Sequence, residues 1–298
     1  MAISGRVTER SIHNRVLANL QRNLAKGDKI QDQLSSGKQL NRPSDSPTGT
    51  VSSMQLRAES RANEQYVRNA DDGLGWLDTL ESTLSRASTL INRARDLTLQ
   101  GLTGASSPQA NQALATEIDQ IRESMIGYAN TRYLDRPVFG GTRAGSVAYD
   151  DTGAYVGDDG RVMRSVAAGE NGKVRVDING PDAFGPEGAS VFDALTSIRD
   201  HLRAGDSAGL KADLDDLDQA AVSVKTAISE IGSRYNRITH MKDSAQDRVL
   251  SVTSQLSEIE DIDLPKTIME MQLQQTSYQA ALAASAKVIQ PSLIDFLR

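Results

Sequence analysis

From Leu210 to Ile259, apolar side chains recur at alternating steps of four and three. The series is Leu210, Leu214, Leu217, Ala221, Val224, Ile228, Ile231, Tyr235, Ile238, Ala245, Val249, Val252, Leu256 and Ile259, with Lys242 its one charged member. Seven heptads in unbroken phase predict a single helix of roughly 75 Å with an apolar seam along one side. Helices of ordinary compact domains run about 8 to 20 residues. A helix this long therefore calls for long partners laid alongside it, and Asp206 or Ser207 is placed to cap its start.

The chain supplies those partners. A run from about Pro47 to Gln100 keeps Ala70, Leu74, Leu77, Leu80, Leu84, Ala87, Ile91, Ala94 and Leu97 in helical phase. Gly73 and Gly75 each cost about 1 kcal/mol there relative to Ala, but the phase crosses them and the helix is expected to continue. Ser107 caps a third helix with Pro108 in its first turn, carrying Leu114, Ile118, Ile121, Met125 and Tyr128. Val191, Phe192, Leu195, Ile198 and Leu202 mark a shorter one. Only 4% of the residues are aromatic, thin material for a large compact core but sufficient for narrow seams of Ala, Leu, Ile and Val.

Both ends of the chain read as helical arms set off by joints. In the stretch LSSGKQLNRPSDSP at 34–47, the Gly-Lys pair lacks the frame of a phosphate loop: Asp32 stands where the first glycine belongs and Gln39 where the hydroxyl residue belongs. What precedes it is a helix face of Val16, Leu20, Leu24, Gly27, Ile30 and Leu34, so Gly37 is expected to cap that helix. Pro43 forbids continuation, Ser44, Asp45 or Ser46 can cap a new helix, and Pro47 suits its first turn. Past Ile259 the apolar phase breaks at Asp261, Asp263 and Pro265. It resumes one residue out of register at Leu264, Ile268, Met271, Gln275, Tyr278, Leu282, Ser285 and Ile289. Gly37, Pro43, Pro47 and Pro265 are the expected hinges. Residues 1–42 carry eight basic against three acidic side chains, and residues 258–298 three against six. The arms should therefore pair as an antiparallel helical hairpin.

Residues 138–188 differ in texture. Gly and Pro recur every few residues, and apolar side chains alternate in short runs such as Lys173-Val174-Arg175-Val176-Asp177-Ile178. This predicts a small antiparallel β insertion projecting from the bundle. The expected fold is mainly α, a long-helix bundle built from both chain ends with a small inserted β-rich domain. Its parts are terminal coiled-coil arms (1–42 with 262–298), a central helical bundle (43–137 with 189–261) and the insertion (138–188).

Chemistry finds little purchase in this sequence. A net charge of −6 argues against nucleic acid as a partner. With no cysteine and only His13, His201 and His240, expected to be ordinary exposed side chains, neither a metal site, a thiol site nor a cofactor is expected. No run approaches the roughly 18 apolar residues of a membrane span, so no membrane insertion is expected, and no apolar signal-peptide core opens the chain. Asp151-Thr152-Gly153-Ala154 is similar to the catalytic loop of aspartic proteases, which needs two such carboxylates; one copy beside Tyr149-Asp150 reads instead as a hairpin turn. The acidic run Asp213, Asp215, Asp216, Asp218 lacks calcium-loop spacing and reads as a solvated helix face. No catalytic residue is assigned.

Four stretches in order, LSSGKQLNRPSDSP, NADDGLGWLDTLESTL at 69–84, YLDRPVFGGT at 133–142 and QLQQTSYQAALAASAKVIQPSLIDFL at 272–297, resemble the bacterial flagellin family, on the side of its hook-associated junction proteins. The likeness covers roughly 1–142 and 190–298. Asp45-Ser46 replaces the family's usual acidic pair, and Pro265 stands in a stretch the family keeps helical. The resemblance implies a structural, non-enzymatic protein of the flagellum, exported unfolded without a cleaved signal peptide and self-associating into a ring between hook and filament. Its implied partners are a neighbouring hook-associated protein, flagellin, and an export chaperone on the C-terminal arm. Val16, Leu20, Leu24, Ile30, Leu34, Ile268, Met271, Tyr278, Leu282 and Ile289 would be its subunit-packing side chains. Flagellin itself, or another filament or export-apparatus protein, is the alternative; an aspartic-type hydrolase is a remote one.

Overall fold

A computed structural model describes residues 9–103, 107–143, 145 and 147–289. Among them the order is α1 (Glu9–Ser36), α2 (Pro47–Leu102), α3 (Pro108–Ala129), β1 (Arg132–Tyr133), β2 (Arg136–Pro137), β3 (Met163–Ser165), β4 (Lys173–Arg175), α4 (Gly180–Phe184), α5 (Val191–Ala204), α6 (Ser207–Glu260) and α7 (Leu264–Ile289). The fold is a mainly helical bundle of long helices from both chain ends with a small β region in the middle. Two compact units divide it: residues up to Arg61 with those from Leu250 onward, and Ala62–Val249.

In the larger unit, the α6 seam behaves as its heptads require. Leu210, Leu217, Val224, Ile231, Ile238 and Ala245, seven residues apart, are all buried, with Leu214, Ala221 and Ile228 half-buried between them. Lys242, the charged exception, pairs with Asp71 of α2 at 2.7 Å, and Arg95 of α2 pairs with Asp218 at 2.8 Å. The two pairs fix α2 and α6 as antiparallel within this unit. On α2, Ala70, Leu77, Leu80, Leu84, Ala87, Ile91, Ala94 and Leu97 are buried. Ser107 caps α3 by accepting from the Ala110 amide, and a reciprocal Ser190–Asp193 capping box starts α5.

The β region is smaller than the sequence pattern suggests, two antiparallel strand pairs, β1–β2 and β3–β4. It does not stand apart from the helices. Val138, Phe139, Tyr149, Val162, Val174, Val176, Ile178 and Phe184 belong to the same buried cluster as α2, α3, α5 and α6. Short strands of two or three residues cannot bury a face on their own, so the helices supply the missing side of their core.

Gly75, inside α2, is explained by what lies on it. Tyr133, from the β1–β2 hairpin, stacks edge-on against Trp76 at 5.6 Å, while Arg136 and Arg164 sit over the Trp76 ring. A Cβ on Gly75 would fall 2.6 Å from the Tyr133 hydroxyl. Gly75→Ala should therefore destabilise the protein, because overpacking costs typically about 1–3 kcal/mol against a helix-propensity gain of about 1 kcal/mol. In a Tyr133→Ala background the same substitution should stabilise. Urea midpoints of the four proteins check this; equal Gly75→Ala effects in both backgrounds would contradict it.

Candidate assembly interface

The smaller unit is built around α1 and α7, which pack against each other. Gln274 donates to the Asn23 carbonyl at 2.8 Å, and Lys38 bridges to Asp261 beyond the other end of the pair, so the two helices run antiparallel. The face α1 turns inward is Val16, Leu20, Asn23, Gly27, Ile30 and Leu34; the face α7 turns inward is Thr267, Met271, Gln274, Tyr278, Ala281 and Ser285. Both step by four and three, but each differs from the apolar series read in the sequence. Leu24 is 53% exposed, Ile268 39% and Leu282 44%. Where the faces depart from that series, Asn23, Thr267, Gln274 and Ala281 take the contact beside Val16, Leu20, Ile30, Leu34, Met271 and Tyr278, and the larger Leu24, Ile268 and Leu282 stay outside. Leu17, Leu264, Met269 and Leu273 are exposed as well. An apolar groove of about 160 Å³ lies over Gly27, lined by Leu24, Met271 and Tyr278 among others. Of the arm side chains singled out in the sequence, Ile30 is buried and Val16, Leu20, Leu34, Met271 and Tyr278 half-buried. The side chain of Ile289 lies outside the described residues.

The joints have local causes. Gly37 follows α1 with φ +70°, the left-handed conformation a glycine takes without strain, and its amide donates to the Gln33 carbonyl. Pro43 lies in a turn whose Asp45 carboxylate accepts from the Asn41 and Arg42 amides. Ser46 caps α2 through the Gly49 amide, with Pro47 opening the helix. Asp263 caps α7 through the Lys266 amide, with Pro265 in its first turn. Pro265 thus marks a helix start.

Elsewhere the structure disposes of the chemical motifs. The Asp150 carboxylate accepts from the Thr152 amide and hydroxyl and the Ala154 amide, and Gly153 has φ +85°, the bonds of a tight turn, with Asp151 on its exposed outside. Among the described residues no group of three or more His, Cys, Asp or Glu could hold a metal ion, and no helix is long and apolar enough to cross a membrane.

The acidic run is only partly a solvated face. Asp215 and Asp216 are exposed, but Asp213 is 3% exposed and accepts from His201 Nδ1 and the Ser197 hydroxyl, both at 2.7 Å. His201 is therefore not an ordinary exposed histidine. Ser197 Oγ also lies 3.4 Å from His201 Nδ1, but that nitrogen and the hydroxyl are each bound more closely to the Asp213 carboxylate, so the trio braces the α5–α6 turn. The bond to Asp213 raises the His201 pKa above its usual 6.5, with Asp206 and Asp200 adding to it. A folded value above the unfolded one means that this contribution is complete below about pH 6.5 and lost as pH rises through the folded value. Thermal midpoints at pH 5.5 and 8 should fall further for the wild type than for His201→Gln; equal slopes would refute the brace.

Comparison with known proteins follows the same outline. Residues 7–135 match the bacterial flagellin N-terminal helical region and residues 214–297 the bacterial flagellin C-terminal helical region. Flagellar hook-associated protein 3 of Escherichia coli (strain K12) is 26% identical over 289 residues, covering 86% of this chain and 88% of that protein. Flagellin of Bacillus subtilis (strain 168) is 26% identical over 287 residues, covering 92% and 93%. The solved structure of a putative flagellar hook-associated protein from Vibrio parahaemolyticus superposes with a TM-score of 0.67 at 23% identity, over 73% of this chain and all of that one, a likeness of fold.

Proposed function

Since this chain belongs to the flagellin superfamily of bacterial flagellar axial proteins, we propose that it assembles as a ring that joins hook to filament. The observation that carries this reading is the α1–α7 hairpin, which closes on Ile30 with Val16, Leu20, Leu34, Met271 and Tyr278 half-buried, and leaves Leu17, Leu24, Ile268 and Leu282 to solvent. Such a face on a soluble protein marks an interaction surface, and homo-oligomers close into rings through heterologous contacts. Residues 1–42 with 262–298 act as packing arms, 43–137 with 189–261 as the bundle that spaces them, and 138–188 as a small β insertion whose core the bundle completes. The arms pack through Val16, Leu20, Leu24, Ile30, Leu34, Ile268, Met271, Tyr278, Leu282 and Ile289. The hook-associated relatives favour the junction role, which would give the chain a second hook-associated protein and flagellin as neighbours and an export chaperone on the C-terminal arm.

The flagellin of Bacillus subtilis, matched at the same identity, supports a second reading, a filament subunit. Self-assembly separates the two. A flagellin polymerises alone into long filaments, whereas a junction protein should stop at rings or short stacks. Electron microscopy of the purified protein at rising concentration is expected to give no long filament; micrometre filaments of this chain alone would carry the flagellin reading instead.

A further inference from the structure

The two joints of the smaller unit are tied to each other around one carboxylate. Lys38 and Asp261 form an antiparallel bridge, the Gln39 amide donates to the Glu260 carbonyl at 2.6 Å, and the Ile262 amide donates to the Gly37 carbonyl at 3.2 Å. Glu260, the last residue of α6, is 5% exposed. It accepts from the Ser53 hydroxyl and, bidentately at 2.8 Å each, from the Arg57 guanidinium, both on α2. Lys38 Nζ lies 3.6 Å from it and 2.5 Å from Asp261, whose other oxygen accepts from Ser257. These are the charged and polar groups that face Glu260 from the joint, from α2 and from its own helix. A carboxylate this buried is tolerated only while its partners are in place.

We propose that Glu260 is the positioning residue of a charge-controlled clasp, whose ionised carboxylate holds the two joints together and so sets the register in which α1 meets α7. The inference rests on the reading of these helices as assembly arms only for its consequence, that the clasp decides whether the arm hairpin is presented in order. Neutralising Glu260 leaves Arg57 and Lys38 without their shared acceptor and frees the two joint amides. Arg57 first, then Ser53 and Lys38, hold Glu260 below the usual carboxylate pKa of 4.5; Lys38 and Ser257 do the same for Asp261, while Asp261 raises Lys38 above 10.5. The carboxylate contribution is therefore complete above about pH 4.5 and lost as pH falls through the folded values; the Lys38 contribution is complete below 10.5 and lost above. The clasp is closed at neutral pH and opens in acid.

The test is amide-exchange protection of Gln39 and Ile262 in the full chain, with the amides of α5 as an internal control. Glu260→Gln is expected to lower protection of both amides at least tenfold at pH 7 with α5 unchanged, and Lys38→Met to lower it less. In the wild type the same two amides should lose protection as pH falls below about 4.5 through the Glu260 and Asp261 values, and in Glu260→Gln that acid step should shrink to the part Asp261 carries. If Glu260→Gln does not fold, Arg57→Met, which keeps the carboxylate but removes its main partner, must show the loss. Protection within twofold of wild type in the folded Glu260 or Arg57 variant, or an acid step of undiminished size without the Glu260 carboxylate, overturns the clasp. A clasp that opens as described in a chain that never self-associates leaves this inference standing and removes the assembly reading.

Discussion

Ile231→Asp should lower the thermal midpoint of the free protein by roughly 10 °C or more, at about 2–4 °C per kcal/mol for a unit of this size. Ile231 is 1% exposed at the centre of the α6 seam, in the cluster that joins α6 to α2, α3 and α5. A carboxylate there would lie among the apolar side chains of that cluster, and burying it charged or protonating it costs several kcal/mol. Ile231→Val, which keeps the shape and removes one methyl, should cost only about 0.5–1.5 kcal/mol. Circular dichroism melts of the two variants measure the difference. A melt of Ile231→Asp that overlays the wild type would mean that the heptad seam of α6 is not a packed core.

The triple variant Leu24→Ser, Ile268→Ser, Leu282→Ser should do the reverse, leaving the monomer melt within a few degrees of wild type while abolishing assembly. All three side chains are exposed on the hairpin, so their loss removes little intrachain packing. In an assembled ring each would be buried against a neighbour, worth about 1.5–3 kcal/mol per side chain, and the contact repeats at every subunit. Sedimentation of wild type and variant at equal concentration reads the effect. Equal sedimentation would show that the exposed apolar face of α1 and α7 is not what subunits pack on.

The contrast between these two positions shows which parts of the fold can be read from sequence. Periodicity found α6, α2, α3 and α5, because a helix packed within its own chain must repeat its apolar residues at the helical period, and caps such as Ser107 and Asp206 set their starts. It carried α2 through Gly73 and Gly75, although only the structure supplies the reason, the Tyr133 ring lying on Gly75. The arms are where the pattern misled. Leu24, Ile268 and Leu282 are as periodic as Ile231, yet the chain closes on their neighbours Asn23, Thr267 and Ala281 instead. A repeat reveals that a face is apolar and says nothing of whether the same chain covers it. Asp213 and Glu260 were invisible for another reason. Their partners, Ser197 and His201 for one, Arg57 and Ser53 for the other, are brought together by the turn between α5 and α6 or across some two hundred residues of chain. Charge pattern along a helix carries no trace of such meetings. The β region was legible in texture but not in attachment, since Val138, Phe139 and Phe184 look alike whether they fill a separate core or complete the helical one.

The central claim is that this chain packs through its α1–α7 arms into a ring at the end of the hook. Negative-stain electron microscopy of purified hooks incubated with the protein tests it most directly, with the triple arm variant as the paired sample. The account predicts a discrete extra layer on the hook tip that stops growing once a ring is complete and is absent with the variant. Bare hook tips with the wild-type protein, or a layer formed equally well by the variant, would contradict it.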